Sequence, residues 1–393
     1  MNAPPPVTLR SVAPSVYLPS LLYGIGQGAI APVIALSALE LGASVGVASL
    51  VVGAVGLGQL LADVPAGSLT MRVGERRAMM AATALVGVAL AVCLLATSVW
   101  VLGVAIGLTG AAGAVWHLAR QAYLTEAVPG HLRARALSTL GGVQRIGNFL
   151  GPFIGAAAVS WGGTDGAYGV HLVAAVASAG LLMLLPDVTG RGGHGSSGGG
   201  TTVRSVVRSH GHVLRTLGVG TLLLGVVRAG RLAVIPLWGE QIGLSAATIA
   251  LVFGASSGVD MLLFYPAGKV MDRYGRVWMA VPCMLLMGTG VLLVPLTTSA
   301  LGLGLAAAVM GLGNGMGSGV GMVLGADASP REGRAAFLGV WRLCVDTGSG
   351  TGPLVLGAVT AVAGLTSGVL VVGGLGLLGA AAMHRWVPRG PVP

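Results

Sequence analysis

Charged residues are scarce in this chain of 393 residues, where Asp, Glu, Lys and Arg together make up 9%. A soluble domain contains about 25% of charged residues. Hydrophobic residues make up 54% of the chain, so its surface cannot be covered by polar groups and must mostly face lipid. The composition excludes an ordinary soluble domain and indicates a membrane protein, for which the spans described below predict an all-α polytopic fold.

Acidic residues, lysine and cysteine are also rare. Twelve acidic residues stand against 22 basic ones, among which Lys269 is the only lysine. The arginines form no contiguous basic face, which argues against a nucleic-acid partner. Cys93, Cys283 and Cys344 lie in apolar runs without metal-ligand or disulfide spacing, so we expect buried thiols and no metal site. Abundant arginine with almost no lysine is typical of a GC-rich bacterial genome, and we therefore expect a bacterial inner (plasma) membrane.

Twelve apolar runs are long enough to cross a bilayer, which takes about 20 residues. We number them spans 1 to 12, and they lie near 16–39, 46–69, 78–98, 101–125, 136–160, 167–185, 214–238, 246–268, 278–298, 301–326, 337–361 and 366–384. A Gly- and Ser-rich segment, 187–213, separates spans 6 and 7 and is predicted to be a flexible linker. The predicted organisation is a tail (1–15), a six-helix bundle (16–186), the linker, a second six-helix bundle (214–385) and a second tail (386–393).

The distribution of basic residues predicts the orientation of the spans. Seventeen of the 22 lie in the tails, in or just after the linker, or in the loops near 70–77, 131–135, 269–276 and 331–334. The alternate loops contain no basic residue and carry acids instead: Glu40, Asp165 and Glu240. By the positive-inside rule, we expect the linker and both termini in the cytoplasm.

An internal repeat with a fixed offset of 201 residues relates the two bundles. The basic segment 65–77 between spans 2 and 3 recurs as 266–276 between spans 8 and 9. The offset continues through Gly147, Gly151 and Pro152, which match Gly348, Gly352 and Pro353. Because six spans per repeat is an even number, both halves have the same orientation, as in transporters built from parallel repeats.

Two motifs in this repeat carry a family resemblance. The first, roughly G-x-L-a-D-R-x-G-R-R, is matched at Gly67, Leu69, Arg72, Gly74, Arg76 and Arg77, with Met71 at its Asp position. The second copy keeps the acid, with Gly268, Asp272, Arg273, Gly275 and Arg276. The second motif, G-x-x-x-G-P-x-x-G-[GA], is matched in span 5 by Gly147, Gly151, Pro152, Gly155 and Ala156. With both motifs, the chain resembles the major facilitator superfamily, in its twelve-helix drug- and metabolite-efflux branch.

The resemblance implies two six-helix bundles related by a pseudo-two-fold axis along the membrane normal, and a monomer. It also implies a cavity lined by spans 1, 4, 7 and 10, and packing of span 5 on span 8 across the halves. In the family, the span-5 motif is associated with antiporters. A third family signature, an arginine in span 4, is replaced here by Ile106, so the proton-coupling role of that arginine is not carried over.

Ionisable residues inside spans are costly in a bilayer and are therefore candidates for function. Arg145 in span 5 and Asp260 in span 8 lie ~14 Å and ~12 Å from the predicted cytoplasmic ends. We predict that they form an ion pair, which serves either proton coupling or permanent structure.

The same argument pairs Asp63 in span 2 with Arg342 in span 11, and Asp346 lies one turn from Arg342. We expect this cluster to act as an inward-side gate rather than to bind substrate. Asp63 is also a candidate to replace the acid missing at Met71. At the cytoplasmic surface, two pairings are predicted to be locks or else ordinary solvated charges: Glu126 with Arg72 or Arg76, and Asp327 with Arg273 or Arg276.

The predicted cavity carries mostly cationic groups. Arg228 and Arg231 in span 7 are the leading substrate or coupling candidates, unless a backbone carbonyl or Asp260 satisfies them. The further candidates are Gln27, Trp116, His117, Arg120 and Asn314. His117 is either a proton carrier, since histidine titrates near neutral pH, or a packing residue. These cations favour an anionic or zwitterionic, amphipathic substrate, and the 5% of aromatic residues argues against a large stacking pocket.

The sequence therefore predicts a proton-coupled exporter (antiporter) of small molecules that works by alternating access. The proton gradient is the expected energy source, and no cofactor is expected. The sequence contains no nucleophile elbow, P-loop or metal cluster, so an enzyme is not expected. Two alternatives stay open: an importer of the same fold for a sugar, acid or peptide-like metabolite, and a non-transporting membrane sensor or scaffold.

Overall fold

The structure is a computed structural model that describes residues 16–129, 132–183, 208–330 and 334–388. Within these ranges it is helical and contains no strand. The helices are Leu18–Ile30, Ile34–Glu40, Val45–Val73, Glu75–Leu94, Val99–Ala127, Arg133–Met183, Val219–Gln241, Ala246–Tyr274, Val277–Leu293, Ala300–Met316, Val320–Ala328 and Arg334–Trp386, with short turns at Gly211–Val213, Leu214–Gly218 and Val294–Leu296. The predicted tails at 1–15 and 389–393, and the linker over 187–207, lie outside the described residues.

All twelve predicted spans are accounted for by these helices. Nine described helices are long and apolar enough to cross a bilayer, and the pair Leu18–Ile30 and Ile34–Glu40, bent by 41°, makes a tenth. Two of the helices, Arg133–Met183 and Arg334–Trp386, each contain two spans joined at a kink. Large apolar side chains such as Val88, Val104 and Leu305 are exposed on the outside of the bundles, as expected for a lipid-facing surface.

The turns near 161–166 and 362–365 lie where the sequence predicts connections between spans. They are short, with non-helical backbone at Gly162 and Gly163 in the first half and at Gly364 in the second. Span 10 differs from the prediction, because it is interrupted between Met316 and Val320 where one helix was predicted. Glycine composition alone does not distinguish a kink from a loop, since glycine permits both.

The repeated basic segment was predicted to be a loop, and most of it is helical instead. The helix of span 2 continues to Val73, Gly74 alone breaks it, and the next helix begins at Glu75. The second copy repeats this pattern at Gly275, after the helix Ala246–Tyr274. Gly74 and Gly275 have φ of 85° and 101°, a region that favours glycine. The segment is therefore a tight helix–glycine–helix turn in both halves.

Glycines of the antiporter-like motif pack span 5 directly on span 1. A Cβ atom added to Gly147 would lie 2.9 Å from the Cα atom of Gly24, and one added to Gly155 would lie 3.0 Å from the Cα atom of Ala29. Pro152 lies between them, buried inside the helix. In the second half, Gly348 occupies the same position against span 7. Small residues at such positions allow close approach of membrane helices.

The two halves meet along two seams, span 2 against span 11 and span 5 against span 8. In the first seam, Ser49 Oγ donates a hydrogen bond of 2.6 Å to the carbonyl of Pro353. In the second seam, the ring of Phe149 packs on Gly258 and the ring of Phe153 packs on Gly254. Ser49 and Phe153 lie toward the ends of the spans that carry the acidic loops, and Phe149 lies near the middle of span 5. The ion pair of Arg342 with Asp63 joins the first seam nearer the other end.

Candidate functional site

A cavity of about 620 Å³ lies between the two halves. Residues from both halves line it, including Gln27 and Gln59 of the first half and Asn314 of the second. Its described charged lining consists of four arginines and one acid: Arg120, Arg145, Arg228, Arg231 and Asp260. The cavity is therefore strongly cationic, as the sequence predicts.

Asp260 is the centre of the polar contacts in this cavity. Its Oδ1 atom lies 3.4 Å from Nη1 of Arg145 across the seam, so the predicted ion pair between the halves is present. Its Oδ2 atom lies 3.8 Å from Nη2 of Arg231 in its own half and accepts a hydrogen bond from Nδ2 of Asn314. Asp260 and Arg231 are largely buried, with 15% and 8% of their side chains exposed. One carboxylate therefore joins side chains of both halves.

Arg228 is bound by a backbone carbonyl, which is one of the two partners that the sequence leaves open for it. Its Nε atom donates a 2.7 Å hydrogen bond to Oδ1 of Asn314, and its Nη2 atom donates one of 3.3 Å to the carbonyl of Gly317. Gly317 lies in the interruption of span 10, and its carbonyl also accepts a 3.1 Å hydrogen bond from the backbone N–H of Val320. Arg228 therefore holds the broken helix as well as lining the cavity.

Arg120 is held in the first half by neutral groups. Its Nη1 atom donates a 2.7 Å hydrogen bond to Oε1 of Gln144, and its Nη2 atom lies 3.1 Å from Nδ1 of His117. Its guanidinium also lies 4.7 Å from the centre of the Trp116 ring, which stacks on Tyr23. No described acid lies within ion-pair distance of Arg120.

Trp116 and His117 were predicted to line the cavity, and that placement is wrong. Trp116 has no exposed surface, and neither residue is part of the cavity wall. Both lie behind Arg120 and Tyr23 and support them, because the helix turns this face of span 4 toward span 1. The rotation of span 4 about its axis decides this placement, and the residue types do not reveal it.

Several polar residues of the cavity wall were not predicted, among them Tyr23, Gln144, Asn148 and His171. The ring of His171 meets that of Tyr23 edge-on at 5.8 Å, and neither of its ring nitrogens has a hydrogen-bond partner among the described residues. A histidine within span 6 was a usable signal, because it is ionisable in an apolar run. The uncharged residues gave no comparable signal.

A second charged cluster crosses the other seam. Nη2 of Arg342 lies 3.4 Å from Oδ1 of Asp63, and Nε of Arg342 lies 3.3 Å from Oδ2 of Asp346. These are the contacts that the sequence predicts, and the gating role of the cluster stays a prediction. Asp63 is thus engaged across the seam. It does not compensate for Met71, whose side chain is exposed.

The predicted surface locks differ between the halves. Arg276 makes a 3.0 Å ion pair with Asp327 and a longer one of 3.5 Å with Asp272. In the first half, Arg76 instead donates hydrogen bonds to the carbonyls at 182 and 183, and Glu126 forms no ion pair with another described residue. Arg72 and Arg273 are exposed, and Gly67 and Gly268 lie inside the helices. Among the described residues the predicted pairing forms in the second half alone, and its role as a lock stays a prediction.

Two six-helix halves around a polar cavity, within helices that cross a bilayer, are the architecture of secondary transporters. The described residues contain no group of three His, Cys, Asp or Glu side chains that could hold a metal ion. The chain belongs to the Major Facilitator Superfamily, whose sequence profile matches residues 16–227 and 217–393. No curated relative matches the chain by sequence.

Solved transporter structures share this fold at low sequence identity. The crystal structure of a D-xylose–proton symporter is 17% identical, with a TM-score of 0.71 over 98% of this chain and 99% of that chain. A POT family transporter in complex with 5-aminolevulinic acid is 11% identical, with a TM-score of 0.77 over 96% of each chain. The nucleoside transporter NupG is 12% identical, with a TM-score of 0.75 over 96% of this chain and 99% of that chain.

Proposed function

We propose that the protein is a proton-coupled transporter that takes up small organic anions by alternating access. The observation that carries this proposal is the placement of Asp260. It is the one acid among the described residues of the cavity wall, and it contacts arginines of both halves. A proton and a substrate can therefore act on the same contact between the halves.

The charges at Asp260 favour binding of a proton together with an anion. Ionised Asp260 occupies the guanidinium groups of Arg145 and Arg231. A proton on the carboxylate removes its negative charge, and an anionic group of the substrate then takes its place beside the arginines. Each ligand thus favours the other by linkage, which is the requirement for symport. With an inward proton gradient, symport drives uptake.

The packing of the halves supports an inward-facing state. Ser49 and Phe153 make their contacts toward the ends with the acidic loops. If those loops face outward, as the basic residues predict, the cavity is closed to the outside. We further propose that the protein acts as a monomer in a bacterial inner membrane, with both tails in the cytoplasm.

Proton-driven export is the second candidate. The match of span 5 to the antiporter motif favours it, although Gly147, Gly151 and Gly155 also serve the packing on span 1. In an antiporter, proton and substrate would compete for Asp260, which requires a cationic group on the substrate. Four arginines in the same wall disfavour such a group.

Proton movement in proteoliposomes tests this proposal. The full chain is reconstituted with a pH-sensitive dye inside, and small carboxylates are added outside at equal pH. Symport acidifies the interior and antiport makes it more alkaline. Asp260→Asn should abolish the proton signal while exchange of labelled substrate continues. The matched control is Asp165→Asn, a change at an exposed acid outside the cavity. Alkalinisation by the wild type, or an unchanged proton signal in Asp260→Asn, overturns the proposal.

A further inference from the structure

We infer that the substrate is a dianion whose two negative groups are bound one by each half, at Arg120 and at Arg231. This inference rests on the proposed function and specifies its substrate class. Its basis is the excess of positive charge in the cavity wall and the position of the least compensated arginines, one in each half.

The cavity wall is short of negative charge. Arginine stays protonated in proteins, so the four described arginines face one carboxylate and leave an excess of three positive charges. Unpaired charge inside a membrane protein is costly and is normally compensated by a partner. A substrate with one negative charge leaves most of this excess in place, and a dianion removes more of it.

Arg145 and Arg228 are the better satisfied of the four arginines. Arg145 has the carboxylate of Asp260, and its guanidinium lies 4.2 Å from the centre of the Phe264 ring. Arg228 is bound by Asn314 and by the carbonyl of Gly317. Neither is free to leave its partners without releasing the seam or the interruption of span 10.

Arg120 and Arg231 have the least compensated charge. Arg120 contacts only neutral groups, and its Nε atom is buried without a hydrogen-bond partner among the described residues. Arg231 has one acidic contact, at the long distance of 3.8 Å, and its buried Nε and Nη1 atoms also have no described partner. Buried donors without acceptors are unfavourable, and an oxyanion that enters beside them relieves this cost.

These two arginines lie in different halves, on spans 4 and 7, and line one cavity. The wall also contains apolar and aromatic side chains, among them Ile30, Phe149 and Phe253. A matching ligand has two anionic ends and an apolar middle, as in an α,ω-dicarboxylate. Such a ligand links the halves through its own charges, which favours a closed state around it.

Binding to the purified full-length protein in detergent, without any gradient, tests this inference. The probes are α,ω-dicarboxylates from succinate to sebacate, each compared with the monocarboxylate of equal length, by calorimetry and thermal shift. We expect one diacid length to bind best, at least about tenfold tighter than its monoacid. Arg120→Gln and Arg231→Gln should each weaken that diacid about 10- to 100-fold and make diacid and monoacid bind alike.

Three further measurements keep the result interpretable. Arg120→Lys and Arg231→Lys keep the charge and should retain part of the diacid preference even if the Gln variants fold poorly. Arg215→Gln, at an exposed arginine outside the cavity, should bind like the wild type. Equal binding of diacid and monoacid by the wild type, or an unchanged preference in the Gln variants, overturns the inference.

The proton-coupling proposal and the dianion site can be contradicted independently of each other. Diacid binding without proton movement in proteoliposomes contradicts the coupling proposal and leaves the dianion site standing. Proton-coupled uptake of monoacids, with no diacid preference in binding, contradicts the dianion site and leaves the coupling proposal standing.

Discussion

The side chain of Asp260 compensates more positive charge than any other single group of the cavity wall. Arg145 and Arg231 have no other acidic partner among the described residues. Asp260→Asn therefore leaves the buried Arg231 and the partly exposed Arg145 without a carboxylate and should destabilise the protein by roughly 3 kcal/mol. Arg145→Gln should cost only about 1 kcal/mol, because Arg231 still faces the carboxylate and Arg145 is partly exposed. Thermal unfolding in detergent measures both changes.

Asp165→Asn controls for the loss of an acid outside the cavity and should unfold like the wild type. Combining Asp260→Asn with Arg145→Gln should recover part of the stability lost in Asp260→Asn, because one unpaired charge is removed. If Asp260→Asn melts at the wild-type temperature, the carboxylate is not the partner that the buried arginines need.

At the scale of single residues, the charged members of the site are predictable from the sequence and its neutral members are not. Arg120, Arg228 and Asp260 are visible because an ionisable group in an apolar run is costly wherever its helix points. Whether Gln144 and Trp116 line the cavity depends on which face of their helix points toward it. That orientation is set by tertiary packing. Asp260 was one of two partners that the sequence leaves open for Arg231, and the fold decides between them by bringing the two side chains together.

At the scale of helices, span 5 rests on span 1 through backbone contacts at its glycines. A Cβ atom at Gly151 would lie 2.7 Å from the Cα atom of Gly28, so neither helix can accept it without moving. Gly151→Ala should therefore destabilise the protein, by about 1–3 kcal/mol, and lower the yield of folded protein. Gly169→Ala in span 6 is the matched control, because nothing lies within 4 Å of the added atom. Equal melting temperatures for the two variants would show that this packing contributes little.

Helices were easier to predict from the sequence than the connections between them. Twelve apolar runs locate the spans because a bilayer requires about 20 apolar residues per crossing. The interruption of span 10 at Gly317 was not predicted, whereas the break at Gly364 falls in the predicted connection between spans 11 and 12. Glycine occurs throughout these runs, and whether it bends, breaks or continues a helix depends on the neighbouring helices.

At the scale of the whole molecule, the seam of spans 2 and 11 offers a direct test of alternating access. A Cβ atom added at Gly46 would lie 3.3 Å from the Cβ atom of Ala361, close to the separation across a disulfide. In a background without Cys93, Cys283 and Cys344, Gly46→Cys with Ala361→Cys should form a disulfide and reduce transport at least tenfold. A reductant should restore transport, and transport by each single-cysteine variant should not change on oxidation or reduction. Full transport by the cross-linked protein would contradict rocking of the two halves at this seam.

The ion pairs across the two seams make the halves different from each other despite their common repeat. At the offset of 201 residues, Asp260 corresponds to Gln59 and Arg145 corresponds to Asp346. In an assembly of two second halves, Asp260 of one copy would face Asp346 of the other, so two acids would meet. In an assembly of two first halves, Arg145 would face the neutral Gln59. The charges at this seam are therefore complementary only when one half of each kind is present. Expressed as separate chains, each half should assemble with the other and not with itself.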